Sequence, residues 1–434
     1  MKESRTRRFC PSNLRFAMIA LSSGLSFACG SPDRPELKGV ADAVRSSSAY
    51  AIEAGIPTVR VTDTLSQCSS CKLTAEVVGE LRDIPSELAW QDLPIVRRTS
   101  NGQLLAMVPD REFVGIYVFD SLGRFERTVG RRGPGPGELW NPISFVVDAA
   151  DTIHVLDSGR RISVLTLDGK GIRDVRTTVT INSESGLSQA YIPRPDGSII
   201  ASASSAAPNF AGIPLYALSN HGEIEKAFGT PNLSSMGAHT ARILSAGVEI
   251  GRVWVAEPTN YRLEEVRVSD GSVTRIIAIA APWFDKSPIM TKSESDVRFA
   301  ESRIQVVKMD LKSRPTKVSI PPRTALRGMQ LSSGKLWLLW QLPAPRWDTV
   351  GTKYPFPEEM RLSSELNDRM WITAVDVVDV DQGKLLARQY FPFHAHLIAP
   401  EFMGHSYYTK SGEPRVDVWR LFINAHGVSA TLTR

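Results

Sequence analysis

With 434 residues, 42% of them hydrophobic and 22% charged, the chain has apolar side chains enough for a sizeable core and is no disordered polyelectrolyte. The formal net charge of +5 sits mostly at the N-terminus, where Lys2, Arg5, Arg7, Arg8 and Arg15 against Glu3 give +4 over residues 1–28 and leave +1 for the rest. That nearly neutral remainder excludes the basic footprint of a nucleic-acid-binding protein.

The basic segment runs into an apolar stretch from Phe16 to Ala28, and the small residues Ser26 and Ala28 precede Cys29. Basic, then apolar, then small is the order of a secretory signal peptide, here residues 1–28. The stretch is too short to remain as a membrane-spanning anchor, and no later stretch is long and apolar enough to span a bilayer. Arg7-Arg8 has the look of a twin-arginine signal, which a basic leader also produces by chance. Leu25-Ser26-Phe27-Ala28-Cys29-Gly30 resembles a bacterial lipobox, with Ser26 and Phe27 departing from its usual aliphatic and small positions. Export would leave Cys29, Cys68 and Cys71, an odd number for an oxidising compartment. Lipidation of Cys29 removes the odd thiol and anchors the chain; ordinary cleavage leaves Cys29 as a free N-terminal thiol. The expected location is the cell envelope, periplasm or outer membrane, with the membrane touched only through the lipid. Residues 29–57, rich in Ser, Ala, Asp and Arg without a strand pattern, read as a flexible tether.

From about residue 93 the chain repeats one unit: apolar strand, Gly or Asp turn, two alternating strands, another Gly turn. Turn positions Gly102, Asp151, Gly197 and Gly251 each lead into such strands, Ile153–Asp157 and Gly251-Arg252-Val253-Trp254-Val255 among them; Gly334 and Gly404 are read as the fifth and sixth. The first three gaps, 49, 46 and 54 residues, match one four-stranded blade; the last two, 83 and 70, imply insertions. A lone sheet of this kind has two apolar faces, and radial stacking into a ring buries both. The expected fold is therefore all-β, a six-bladed β-propeller over residues 58–434. A short helical insertion is expected before blade five, about 285–318: Ser293 and Asp296 have capping-box spacing, Val297, Ile304, Val307 and Leu311 recur at helical spacing, and Pro315 ends the run. A second insertion, about 341–371 with Trp347, Tyr354, Phe356 and Trp371, reads as an ordered rim loop.

Phe119-Asp120-Ser121-Leu122-Gly123-Arg124-Phe125 and then Val129-Gly130-Arg131-Arg132-Gly133-Pro134-Gly135-Pro136-Gly137-Glu138 resemble the blade junction of exported bacterial six-bladed propellers of the NHL-repeat and TolB-like kind. The Cys-x-x-Cys pair ahead of the first blade and a helical insertion before the fifth are similar too, so the resemblance covers roughly residues 68–434. It implies the fold and leaves function open, because propellers host binding modules and enzymes alike.

Cys68-Ser69-Ser70-Cys71 lacks the following His of a haem site, having Lys72 there, and lacks a second ligand pair for zinc. It precedes a strand rather than joining strand to helix, which leaves a structural disulfide at the approach to the ring. His394-Ala395-His396 would share a strand face, as metal ligands do, yet no carboxylate motif accompanies them; a polar strand edge is the plainer reading. Gly133-Pro134-Gly135-Pro136-Gly137 lacks the Lys-Ser/Thr end of a phosphate loop, and its prolines remove backbone donors, so it reads as a blade crossover. Asp148 and Glu401 lie near first strands but do not make a calcium site. No catalytic set, metal or cofactor is expected.

The preferred reading is a non-catalytic binding or scaffolding propeller of the envelope, its partner an unknown protein or a small anionic ligand. The rival is a metal-dependent hydrolase, lactonase or lyase; a third is a sugar- or peptide-sensing module. The anionic ligand is argued from four arginines near first strands: Arg97, Arg194, Arg242 and Arg327 precede their hairpin glycines by odd offsets. Period-two geometry would aim all four at one face of the central channel and concentrate positive potential there.

Overall fold

The computed structural model describes most of residues 56–425; outside the description lie 1–55, 182–189, 206–212, 230–242, 247–250, 280–304, 309–315, 320–323, 346–367, 426–434 and a few shorter loop stretches. The described residues all belong to one compact unit, 47–434.

The two middle strands of blade one are apolar throughout rather than alternating. In blade one, Leu104–Met107 and Ile116–Phe119 are buried at every position. Both faces of each sheet pack against a neighbour, which removes the polar face that alternation requires. The outermost strand, Phe125–Val129, keeps a mixed pattern. Turn chemistry is local. Asp120 Oδ1 accepts from the backbone N–H of Leu122 and Arg124 at 2.9 and 2.8 Å, and Asp148 Oδ1 does the same for Ala150 and Thr152.

Blade one is Ile95–Arg98, Leu104–Met107, Ile116–Phe119 and Phe125–Val129, each antiparallel to the next. Blade two is Pro142–Val147, Ile153–Asp157, Arg161–Leu165 and Gly171–Arg176. Blade three has Tyr191–Pro193 and Thr180–Ile181 beside Ile199–Ser204, then Leu215–Leu218 and Ile224–Phe228. Blade four is Ile243–Ala246, Arg252–Ala256, Arg262–Arg267 and Val273–Ile279; blade five is Ala325–Ser332, Lys335–Pro343, Trp371–Asp379 and Lys384–Phe391. Blade six takes Ala395–Ala399, Phe402–Tyr408 and Pro414–Ala425 from the end of the chain and its outermost strand, Cys71–Leu81, from the beginning. Among the described residues the buried apolar side chains form six clusters, and each spans one pair of neighbouring blades, six with one included. The ring is closed.

Closure rests on the strand Cys71–Leu81. It pairs with the last strand from Cys71↔Ala425 to Leu81↔Val416, bulging between Val77 and Gly79. Leu73 enters the cluster between blades five and six, and Leu81 the one between six and one. Past Leu81 the chain grips blade one: Arg82 donates its N–H to Gly123 O at 2.9 Å and accepts from Phe125 N–H at 3.1 Å. Gly123, at φ +86°, is needed here because a Cβ would lie 2.1 Å from the Glu80 carbonyl oxygen. A second N-terminal strand, Thr58–Val61, runs parallel to Val273–Ile279 and covers the edge of blade four. Nothing in the sequence pattern announced it.

Three expectations need correction. Where the segment 285–318 is described it is extended: Gln305–Lys308 and the strand Thr316–Ser319 form an antiparallel ribbon rather than a helix. The β-branched pair Val306-Val307 favours that conformation, and Pro315 precedes the returning strand instead of stopping a helix. In the second insertion, strands continue to Pro343 and resume at Trp371, so the excursion is shorter than 341–371. Gly404 is not a turn. The hairpin of blade six turns at Glu401, φ +63°, and Gly404 lies within Phe402–Tyr408 opposite His396. A Cβ on Gly404 would sit 2.8 Å from the His396 ring, so this glycine makes room for an imidazole.

Strict antiparallel order sorts the loops. Connections between first and second and between third and fourth strands share one rim; those between second and third strands, with all blade-to-blade crossovers, share the other. The strand ends flanking both long segments, Ile279 and Ala325, Pro343 and Trp371, lie at the second rim, called here the crossover rim.

The closing strand offers a matched test. Leu81 is 1% exposed and Val77, on the same strand, is 51% exposed. Leu81→Ala should cost about 2–5 kcal/mol in chemical denaturation, whereas Val77→Ala should stay within about 0.5 kcal/mol.

Candidate functional site

Cys68 and Cys71 are disulfide-bonded, with Cα atoms 5.2 Å apart, and the Cys71 N–H donates to Cys68 O at 3.0 Å. The bond turns the chain into the closing strand.

The four arginines occupy different settings. Arg97 lies on the first strand of blade one, 4% exposed, its Nη1 donating to Val96 O at 2.8 Å and its guanidinium 5.7 Å from the centre of the Phe145 ring. Burial lowers its pKa to about 10, against a smaller opposing effect from Tyr191. Arg327, on the first strand of blade five, donates from Nε to Gln341 Oε1 at 3.0 Å. The ladder bulges between Leu326 and Gly328, at Arg327 itself, which resets the pleat on which the odd-offset count depends. Arg194 lies past the short strand Tyr191–Pro193, in the hairpin turn, and pairs with Asp196 at 3.7 Å and Ser198 Oγ at 3.2 Å. Arg242 lies outside the described residues. Asp148 and Glu401 sit in the first hairpins of blades two and six, on the rim opposite the crossovers; Asp148 Oδ2 also contacts His154 Nε2 at 2.9 Å.

The best-assembled polar group is one the sequence did not reveal. Asp368, just ahead of the third strand of blade five, accepts the His394 backbone N–H on Oδ1 at 2.7 Å and faces His405 Nε2 with Oδ2 at 3.0 Å. His405 stacks on Phe393 at 4.2 Å and on Tyr407 at 5.1 Å. Gln341 contacts His394 Nε2 from its amide nitrogen and accepts from Arg327 on its oxygen. Thr373 Oγ1 donates to Phe393 O at 2.8 Å and accepts from Ala395 N–H at 2.9 Å, fixing the crossover. A continuous chain, Arg327–Gln341–His394–Asp368–His405, thus ties blade five to blade six at the foot of the 344–370 excursion.

Burial, then the positive charge of Arg327, lowers the His394 pKa to about 4; burial, then His394 itself, lowers that of His396 to about 3. Both rings are therefore neutral at physiological pH, and the His394 Nε2 lone pair can accept from Gln341. His396 is strand-borne, as expected, and its buried Nε2 has no partner among the described residues. Among those residues no three His, Cys, Asp or Glu side chains are placed to hold a metal ion.

A second feature of the same rim lies on blade two. Asp157, at the end of the second strand, accepts the N–H groups of Trp140 and Asn141 at 2.7 and 2.6 Å and pairs with Arg161. Arg161 also donates to Pro134 O and Glu138 O at 3.2 and 3.0 Å. Glu138 closes the glycine-proline crossover by accepting Gly135 N–H at 2.9 Å and Arg131 Nε at 2.9 Å, contacts that hold its pKa below the usual carboxylate value. The result is a cleft of about 380 Å³ lined by Pro134, Trp140, Asp157, Arg160, Arg161, Arg176 and Thr177.

Fold and rim together define a six-bladed β-propeller. A family model described as a six-bladed β-propeller matches residues 100–183. A DUF4221-family protein from Bacteroides vulgatus has a similar structure over 83% of this chain and 100% of its own, at 10% identity and a TM-score of 0.54. A Bacteroides fragilis protein described as exported is similar over 85% of this chain and 99% of its own, at 10% identity and a TM-score of 0.49. No curated protein matches the chain.

The depressed histidines set a pH dependence. Unfolded, each binds a proton below about 6.5; folded, they stay neutral down to about 4 and 3. The unfolded state therefore binds more protons in that window, and the contribution, complete above pH 6.5, is lost as pH falls through it, by up to about 1.4 kcal/mol per pH unit per histidine. Denaturation midpoints measured from pH 7 to 4 should fall steeply for the wild type and less steeply for His394→Asn/His396→Gln.

Proposed function

We propose that this propeller is a non-catalytic binding or scaffolding module of the cell envelope, exported by the signal of residues 1–28, anchored by lipid on Cys29 and presenting its crossover rim to a partner. The observation that carries the reading is the state of the polar chain at the foot of the insertion. Both oxygens of Asp368, the His394 Nε2 and both ends of the Gln341 amide are engaged in holding blade five to blade six. Groups so engaged fix a rim loop; general acid–base work needs a group within reach of a substrate proton. The Cys68–Cys71 bond supports an oxidising compartment. Loops held on a rigid scaffold are where binding surfaces concentrate.

Two exposed side chains test which rim meets the partner. Trp140 on the crossover rim is 58% exposed, and Leu122 in a hairpin of the opposite rim is 54% exposed. A photo-crosslinking residue at position 140 should give discrete adducts in intact envelopes and one at position 122 should not, while Cys29→Ala should move the protein from the membrane to the soluble envelope fraction. Equal adducts from both positions, or retention in the membrane after Cys29→Ala, would contradict the reading.

A further inference from the structure

We infer that the cleft on blade two binds an acidic sugar unit, carboxylated or sulfated; the inference rests on the crossover rim being the binding face and deepens that reading by naming a ligand class. The cleft carries three arginines against one aspartate. Asp157 is buried and already neutralised, by Arg161 and by the amides of Trp140 and Asn141. Arg161 is in turn held by Asp157 and two carbonyls, so the pair forms a fixed floor rather than a binding group.

The binding groups are the other two arginines. Arg160 is exposed and uses only Nε, donating to Thr180 Oγ1 at 3.0 Å, which fixes its stem and leaves its terminal nitrogens without a partner among the described residues. The side chain of Arg176, also exposed, has no hydrogen bond or ion pair among the described residues. Two guanidinium forks beside a neutralised floor suit a carboxylate or sulfate, each with oxygens for a paired contact.

Trp140 supplies the second half of the site. It is the most exposed large apolar side chain among the described residues, at 58%, although its backbone is pinned by Asp157. The Arg132 guanidinium lies 5.6 Å from its ring centre, which adds positive potential at the cleft's lip. A flat indole that ends in a polar N–H suits a ring with an apolar C–H face and a polar edge, and a pyranose is such a ring. A simple inorganic anion would need the arginines but not the tryptophan. The volume lies near the lower end of the roughly 300–1,000 Å³ typical of small-ligand sites, so it suits a short stretch of sugar chain rather than a protein domain.

The test is calorimetric titration of the exported protein with four probes: an oligogalacturonate, a sulfated chondroitin oligosaccharide, a neutral cello-oligosaccharide and inorganic sulfate. At least one of the acidic oligosaccharides should bind, and whichever binds tells carboxylate from sulfate. Trp140→Ala and, separately, Arg160→Ala/Arg176→Ala should each weaken that binding by roughly tenfold or more, with melting temperatures close to wild type because all three side chains are exposed. The arginine variant should also lose most of its salt dependence. Failure of both acidic probes to bind, equal binding by the neutral one or by inorganic sulfate, or unchanged binding by either variant would overturn the inference. If the acidic probes fail while position 140 still crosslinks in the envelope, the sugar assignment falls and the rim assignment stands; if both fail, the rim assignment falls too.

Discussion

A ring of sheets must be joined where its two ends meet, and here the join is a single strand pairing. Cys71–Leu81 lies along Pro414–Ala425 and completes blade six. Without it the 12-residue last strand would be an open edge, ready to pair with another chain. The same 11 residues send Leu73 into one interblade core and Leu81 into the next, so one element holds two of the six interfaces. The disulfide at the start of this strand and the close approach of Glu80 to Gly123 at its end fix both ends of the join.

Closure gives the rims their meaning. Because strand order is antiparallel throughout each blade, the crossover rim collects the strand ends that flank both long segments, the Asp368–His405 contact and the arginine cleft. The opposite rim is made of short hairpins tied by their own Asp, Asn, Ser and Thr side chains, and Ser100 there reaches the next blade's Asp151 through its N–H and hydroxyl at 2.6 Å each. One face is therefore self-satisfied, and the other carries exposed aromatic and cationic groups on a rigid base. Elsewhere, buried charge is structural: Arg388 makes a two-pronged contact to the fully buried Asp376, at 2.6 and 2.7 Å, and Tyr261 of blade four joins it.

Much of the fold was legible because turns are local. Gly102, Asp151, Gly197, Gly251 and Gly334 all have positive φ, a requirement written in single residues. Gly404 misled the count because a glycine that makes space for His396 is indistinguishable, in sequence, from one that makes a turn. The helix expected around Val307 failed because four apolar residues at helical spacing are a weak signal against two adjacent β-branched ones. The closing strand's partner lies over 300 residues away, and pairing at that distance leaves no mark in spacing. The same holds for the cleft: Trp140, Arg160 and Arg176 come from a crossover, a mid-blade loop and an outer strand, and only the fold brings them together. A signal was present in the Trp that follows a glycine-proline run next to Arg131-Arg132, where an apolar residue of that size has no core to enter. The arginines near first strands were visible as a set, but burial, a turn and a bulge give Arg97, Arg194 and Arg327 three different environments.

The central claim is that the N-terminal strand is an integral part of the ring. Hydrogen exchange read by mass spectrometry tests it directly, peptide by peptide. Amides of 71–81 should exchange as slowly as those of 414–425 and lose protection together with them as denaturant is raised. Rapid exchange across 71–81 while 414–425 stays protected would show that the ring closes without this strand, and would contradict the account.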